Sequence, residues 1–179
     1  MLRTWTPADR EPFAAMNADA EVMEHFPSTL SRRESDELVD MIMGGFERNG
    51  FGLWALELGR DGRFIGFTGL SVPSFEAPFT PAVEVGWRLA RWAWGHGYAT
   101  EAASAALDFG FSQAGLEEVV SFTSVENVRS QAVMKRLGLT HDPADDFEHP
   151  RIPPGHRLRL HVLYRISRQQ WAARPTEAG

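Results

Sequence analysis

The chain has no cysteine. That absence excludes disulfide staples, thiolate nucleophiles and cysteine metal sites together. No run approaches the roughly 18 apolar residues needed to cross a bilayer. The start, Met1-Leu2-Arg3-Thr4-Trp5-Thr6-Pro7, lacks the apolar stretch of a secretion signal. The cytoplasm is therefore the expected compartment, with no membrane partner. Positive charge is also in deficit: the net charge of −6 at pH 7 argues against nucleic-acid binding. Arg151, Arg157, Arg159, Arg165 and Arg168 crowd the C-terminal part and read as a solvated face. No internal repeat is present. With 179 residues and a hydrophobic fraction of 43%, the chain suffices for one well-packed domain over 1–179, with 170–179 expected as a flexible tail.

Leu2 and Trp5 read as an edge strand, and Thr6-Pro7-Ala8-Asp9 as a helix entry. Phe13, Met16, Ala20 and Met23 would supply that helix's buried side, with a break near Asn17. A second helix opens at the capping box Ser31-Arg32-Arg33-Glu34. Its apolar face would be Leu38, Met41, Ile42, Gly45 and Phe46, and Asn49-Gly50 would end it. Extended patterns follow over 51–58 and 63–72, joined by a turn at Arg60-Asp61-Gly62, and over 82–89 after a proline-rich loop. A helix over 98–113, a strand over 118–124 and a helix over 128–137 come next. Residues 140–155 read as an irregular loop, and 157–166 as a final alternating strand. The order β-α-α-β-β-β-α-β-α-β predicts a single mixed α/β domain.

Between the third of the long strands and the alanine-rich helix lies Trp94-Gly95-His96-Gly97-Tyr98-Ala99-Thr100-Glu101. Two glycines permit positive φ and close backbone approach. The first N–H groups of the following helix have no internal partner, so turn and helix together form an anion site suited to a phosphate or pyrophosphate. The loop lacks the Gly-x-x-x-x-Gly-Lys-Ser/Thr of a P-loop. It also places Thr100 where a dinucleotide fold needs its third glycine.

The strand Val83-Glu84-Val85-Gly86-Trp87, this loop through Ala102, and Val125-Glu126-Asn127-Val128-Arg129-Ser130 leading to Met134-Lys135-Arg136-Leu137-Gly138 together resemble the GNAT acyltransferase superfamily. More narrowly they are similar to its RimJ/RimL branch, whose named members acetylate protein N-terminal amines. The resemblance covers nearly the whole chain. It implies a twisted mixed sheet of about six to seven strands flanked by about four helices, with acetyl-CoA as co-substrate and no metal. It places the pyrophosphate and pantetheine arm on Trp87, Arg88 and Leu89, on Trp92, Ala93, Trp94, Gly95, His96, Gly97, Tyr98, Ala99 and Thr100, and on Asn127 and Ser130. Two positions depart from the pattern. Trp92 stands where the family has Gln or Arg, and Met134 where many members have a proton-donating Tyr.

The resemblance then assigns the donor to Ser130, although Asn127 to Ser130 is equally a helix start. Glu84, on the polar face of its strand, is the leading candidate base, and His161 on the last strand is the second. An α-amine, with a pKa near 8, needs less of a base than Lys near 10.4. His141, Asp142, Asp145, Asp146, Glu148, His149 and His156 match no metal-ligand spacing, and their loop reads as a lid over the acceptor. The expected activity is acetyl transfer from acetyl-CoA to a primary amine, either a protein N-terminal α-amine or a small amine. The alternative is a catalytically silent acyl-CoA-binding sensor or interaction module. Glu84 and the acids of 142–148 suit a cationic acceptor, and Phe75 and Phe79 would mark a homodimer surface.

Overall fold

The computed structural model describes residues 1–59 and 61–174. Eight strands form one sheet in the order β1-β2-β3-β4-β5-β8-β6, with β7 also on β8. These are β1 Leu2–Arg3, β2 Leu53–Glu57, β3 Phe64–Ser71, β4 Glu84–Leu89, β5 Glu118–Ser124, β6 Thr140–His141, β7 Phe147–Glu148 and β8 Leu160–Ser167. The helices are α1 Arg10–Ala18, α2 Arg32–Asn49, α3 Tyr98–Ser112, α4 Val128–Arg136 and α5 Arg168–Ala172. The expected mixed α/β order holds. The sheet exceeds the expected six to seven strands because 140–155 is not irregular: it contributes β6 and β7, both pairing with β8. No helix among the described residues is long and apolar enough to cross a membrane.

Local chemistry sets the element ends. Ser31 Oγ accepts from Glu34 N at 3.3 Å while Glu34 Oε2 accepts from Ser31 N at 2.8 Å, so two orphan N–H groups are satisfied at the start of α2. Its buried residues are Ser35, Val39 and Ile42, whereas Met41 is 63% exposed. Leu38, Ile42 and Phe46 of the expected face do pack on the core, and Met41 alone points away from it. Ala20 and Met23 lie beyond the end of α1, although Met23 is still buried. Residues 170–172 are helical rather than a loose tail, and Trp171 Nε1 donates to Asp108 Oδ1 at 2.8 Å. Arg60 of the expected turn and residues 175–179 of the expected tail lie outside the described residues.

The sheet divides the core. On one face α3 and α4 pack on Leu70, Val85, Val119 and Ile166. On the other, α1 and α2 cover Ala55, Phe64 and Phe67. Further along that second face, Val120 and Leu163 pack with Phe147, Phe75, Phe79 and Phe122. Phe75 and Phe79 are half-buried members of an aromatic cluster.

Candidate active site

The parallel strands β4 and β5 meet at a single register pair, Glu84 with Val120. One backbone bond, Val120 N to Val83 O at 2.9 Å, and one side-chain bond, Ser121 Oγ to Val85 O at 2.8 Å, close the joint. Toward their C-terminal ends the two strands share no further pairing among the described residues. The β4 edge beyond Val85 is left free for an extended ligand, since unpaired strand edges offer backbone donors and acceptors.

The loop leaving that edge is built as an anion cradle. Residues Arg91–Ala93 make a 3-10 turn, and Trp94 Nε1 donates to Leu89 O at 2.8 Å. Gly95 and Gly97 then adopt φ of +80° and +81°, a region costly for other residues. Nothing lies within 4 Å of where their Cβ atoms would be, so the space above them is open. Gly97 caps α3 without a side chain, so the first N–H groups of the helix remain unanswered. His96 is exposed and stacks on Tyr98 at 5.3 Å. Trp92 is 47% exposed, and the Arg63 guanidinium lies 3.8 Å from its ring centre. A cation thus stands beside the position where the resembled pattern has Gln or Arg, carried by a different element. Across the mouth, Arg129 of α4 lies 5.1 Å from the Trp94 ring.

At the start of α4, Asn127 Oδ1 accepts from Ser130 N at 3.1 Å, and Asn127 Nδ2 donates to Thr123 Oγ1 at 2.9 Å. Asn127 therefore makes the cap, and among the described residues the Ser130 hydroxyl has no hydrogen-bond partner. Met134 is buried among core side chains and cannot donate a proton. One of only two tyrosines, Tyr164, lies on the neighbouring strand β8 with its hydroxyl 3.5 Å from Gln131 Oε1.

Glu84, Gly86 and Arg88 alternate along β4 on the α1–α2 face, as the Arg88 bond to Asn17 shows. Glu84 keeps some exposed surface, yet burial of its carboxyl raises the pKa to about 8, offset in part by a hydrogen bond from Ser71. His161 is 7% exposed within the aromatic cluster. Burial lowers its pKa to about 4, so it is neutral and a weak base. It pairs with Ser124, four residues along β5 from the partner of Glu84, and the structure does not bring the two together. The lid reading also changes. Asp145 pairs with Arg165 of β8, Glu148 with Arg159 just before it, and Asp146 with His141 within the segment itself, so two of these acids are answered by arginines. The C-terminal arginines are likewise engaged, Arg157 with Glu126 and Arg168 with Glu117.

Sequence reasoning missed two features. Asn17 is fully buried and bridges Ser35 of α2 to Arg88 of β4, at 2.9 and 2.7 Å. Gly86 leaves bare backbone between Glu84 and Arg88, and only Glu84 Oε1 comes near its absent side chain, at 3.7 Å.

The profile of the acetyltransferase (GNAT) domain matches residues 1–140. Over 126 residues the chain is 37% identical to an FsC-acetyl coenzyme A-N(2)-transacetylase of Aspergillus fumigatus, covering 68% of this chain and 52% of that protein. It thus spans about half the length of that relative. Over 127 residues it is 30% identical to the uncharacterized protein YkkB of Bacillus subtilis, covering 71% of this chain and 73% of that one. Among solved structures, an acetyltransferase of Agrobacterium tumefaciens aligns with a TM-score of 0.73 at 27% identity, over 92% of this chain and 88% of its own. A spermidine N-acetyltransferase of Vibrio cholerae, in complex with CoA and spermine, shares the fold with a TM-score of 0.74 at 17% identity, over 96% of this chain and 97% of its own.

Proposed function

The chain belongs to the GNAT acetyltransferase family, and from that premise we propose that it moves the acetyl group of acetyl-CoA directly to a primary amine. The observation that carries this reading is the conjunction of an open β4 edge with an uncapped, doubly positive-φ loop at the start of α3. An extended thioester arm suits the edge, and the pyrophosphate suits the N–H groups and dipole of the helix.

Glu84 accepts the proton of the ammonium group, so that the nitrogen lone pair is free to attack the thioester carbonyl. A carbon–nitrogen bond forms and the carbon–sulfur bond breaks. As that bond breaks, the adduct nitrogen gives up its second proton, which passes through water to the Ser130 hydroxyl and on to the departing sulfur, leaving the neutral amide and the free thiol. The RimJ/RimL likeness favours an N-terminal α-amine as acceptor, and about a tenth of such an amine is already neutral at pH 7.

Thermal shift with acetyl-CoA, combined with thiol release across peptides, polyamines and small amines, tests the reading. Stabilisation with turnover is expected. Stabilisation without turnover on any amine would favour the silent acyl-CoA-binding module instead. For the cradle, Gly97→Val should weaken CoA binding roughly ten- to hundredfold. The loop must abandon its positive φ to accept a β-branched residue, which turns the N–H groups away. Calorimetric titration with CoA measures this, and unchanged affinity would remove the loop from the site.

A further inference from the structure

Arg88 has no acid partner among the described residues. Its Nη1 donates to Asn17 Oδ1 at 2.7 Å, and its guanidinium lies 4.1 Å from the Phe26 ring centre and 5.5 Å from that of Phe67. Nε is shielded from water without any hydrogen-bond partner. Arg91 is answered by Glu21, Arg157 by Glu126, and Arg165 by Asp145 and Glu118. A guanidinium withdrawn from water without a counter-charge is costly to keep. Burial lowers its pKa only to about 10, so it stays charged at neutral pH. Aromatic faces and one amide oxygen steady such a cation without neutralising it. Gly86, two residues before it on the same face of β4, leaves open space beside Glu84, and a planar fork of this kind suits a carboxylate.

We propose that the acceptor amine carries a carboxylate, which pairs with the Arg88 guanidinium while the amine nitrogen lies over Gly86 within reach of Glu84. The inference rests on acetyl transfer taking place on this face of β4. Asn17 acts as a positioning residue, because its bond to Ser35 of α2 holds the amide that aims Arg88. Alternate residues on one face of a strand stand about 7 Å apart. The spacing from Gly86 to Arg88 therefore asks for an acceptor whose amine and acid are several bonds apart, as in a dipeptide or an ω-amino acid. A polyamine would place a second cation against Arg88.

Matched acceptors test this: glycylglycine against glycylglycinamide, and 6-aminohexanoate against 6-aminohexanamide, by thiol release from acetyl-CoA. In at least one pair the acid should exceed its amide by about tenfold or more in kcat/KM, mainly through KM, since a buried charge left unpaired discriminates strongly. Arg88→Met should erase that preference, and Arg88→Lys should restore part of it. Equal or better use of the amides by the unaltered protein overturns the proposal and leaves the transferase reading intact. This comparison needs no variant to fold. An equal rise in KM for acid and amide in Arg88→Met would likewise reduce Arg88 to a structural part. Acetyl-CoA binding without turnover of any acceptor would overturn the transferase reading, and this proposal with it.

Discussion

Glu84→Gln is expected to lower turnover by roughly 10²–10⁴ and to raise the melting temperature at pH 8. Both effects follow from one carboxyl held in a dry setting at the joint of β4 and β5. Burial raises its pKa from 4.5 to about 8. The folded state therefore prefers the protonated acid. The associated stability is complete below pH 4.5, declines as pH climbs, and is lost as pH passes through about 8. Catalysis runs the other way, because the base is the carboxylate. With saturating acceptor, kcat should rise with pH and level off above about 8. Glutamine keeps the shape, takes no proton and carries no charge to bury. Removing the ionised form should gain on the order of 2 kcal/mol at pH 8, discounted for the partly open cleft, which is about 4–8 °C for a chain of this size. Turnover within threefold of the unaltered protein, or a kcat inflection near pH 8 surviving in the variant, would remove Glu84 from the mechanism.

How much of this was legible in the sequence varied with the kind of interaction. Strand β5 and the opening of α2 were legible to the residue, because Ser31 with Glu34 is a purely local device. The positive φ at Gly95 and Gly97 was equally local. Met41 was misplaced because a helical stripe leaves its edges ambiguous, and Val39 turned out to be the buried neighbour. Strands β6 and β7 span two residues each, too few to show alternation, and exist only because β8 offers them an edge. His161 was read as polar-facing from the alternation of β8. That strand is covered on both sides, so alternation could not tell a solvated histidine from one packed among phenylalanines. The partnership of Arg88 with Asn17 spans 71 positions, and nothing short of the assembled sheet brings it into view. Motifs announced the glycine loop before α3, whereas the Asn17–Arg88 face of β4 is made of long-range contacts.

Ser130→Ala should lower turnover by roughly 10²–10⁴ and leave the melting temperature unchanged. The second half of that expectation is what the structure adds. In the sequence, Asn127 and Ser130 shared a helix start, so loss of the hydroxyl would have confounded capping with chemistry. The fold separates them: the cap is the Asn127 side chain accepting from the Ser130 backbone N–H, and alanine keeps that N–H. Among the described residues the hydroxyl makes no bond, so its removal should not disturb the helix. The family's tyrosine position is filled by Met134, which is 1% exposed and part of the hydrophobic core. A donor for the departing sulfur must therefore come from a neighbour, and the first turn of α4 offers Ser130. Tyr164→Phe is the companion measurement, because that hydroxyl reaches Gln131 of the same turn from strand β8. If thiol release persists in Ser130→Ala and collapses in Tyr164→Phe, the proton reaches sulfur from Tyr164. If it collapses in Ser130→Ala at constant melting temperature, the helix start both caps itself and completes the transfer, through two different residues.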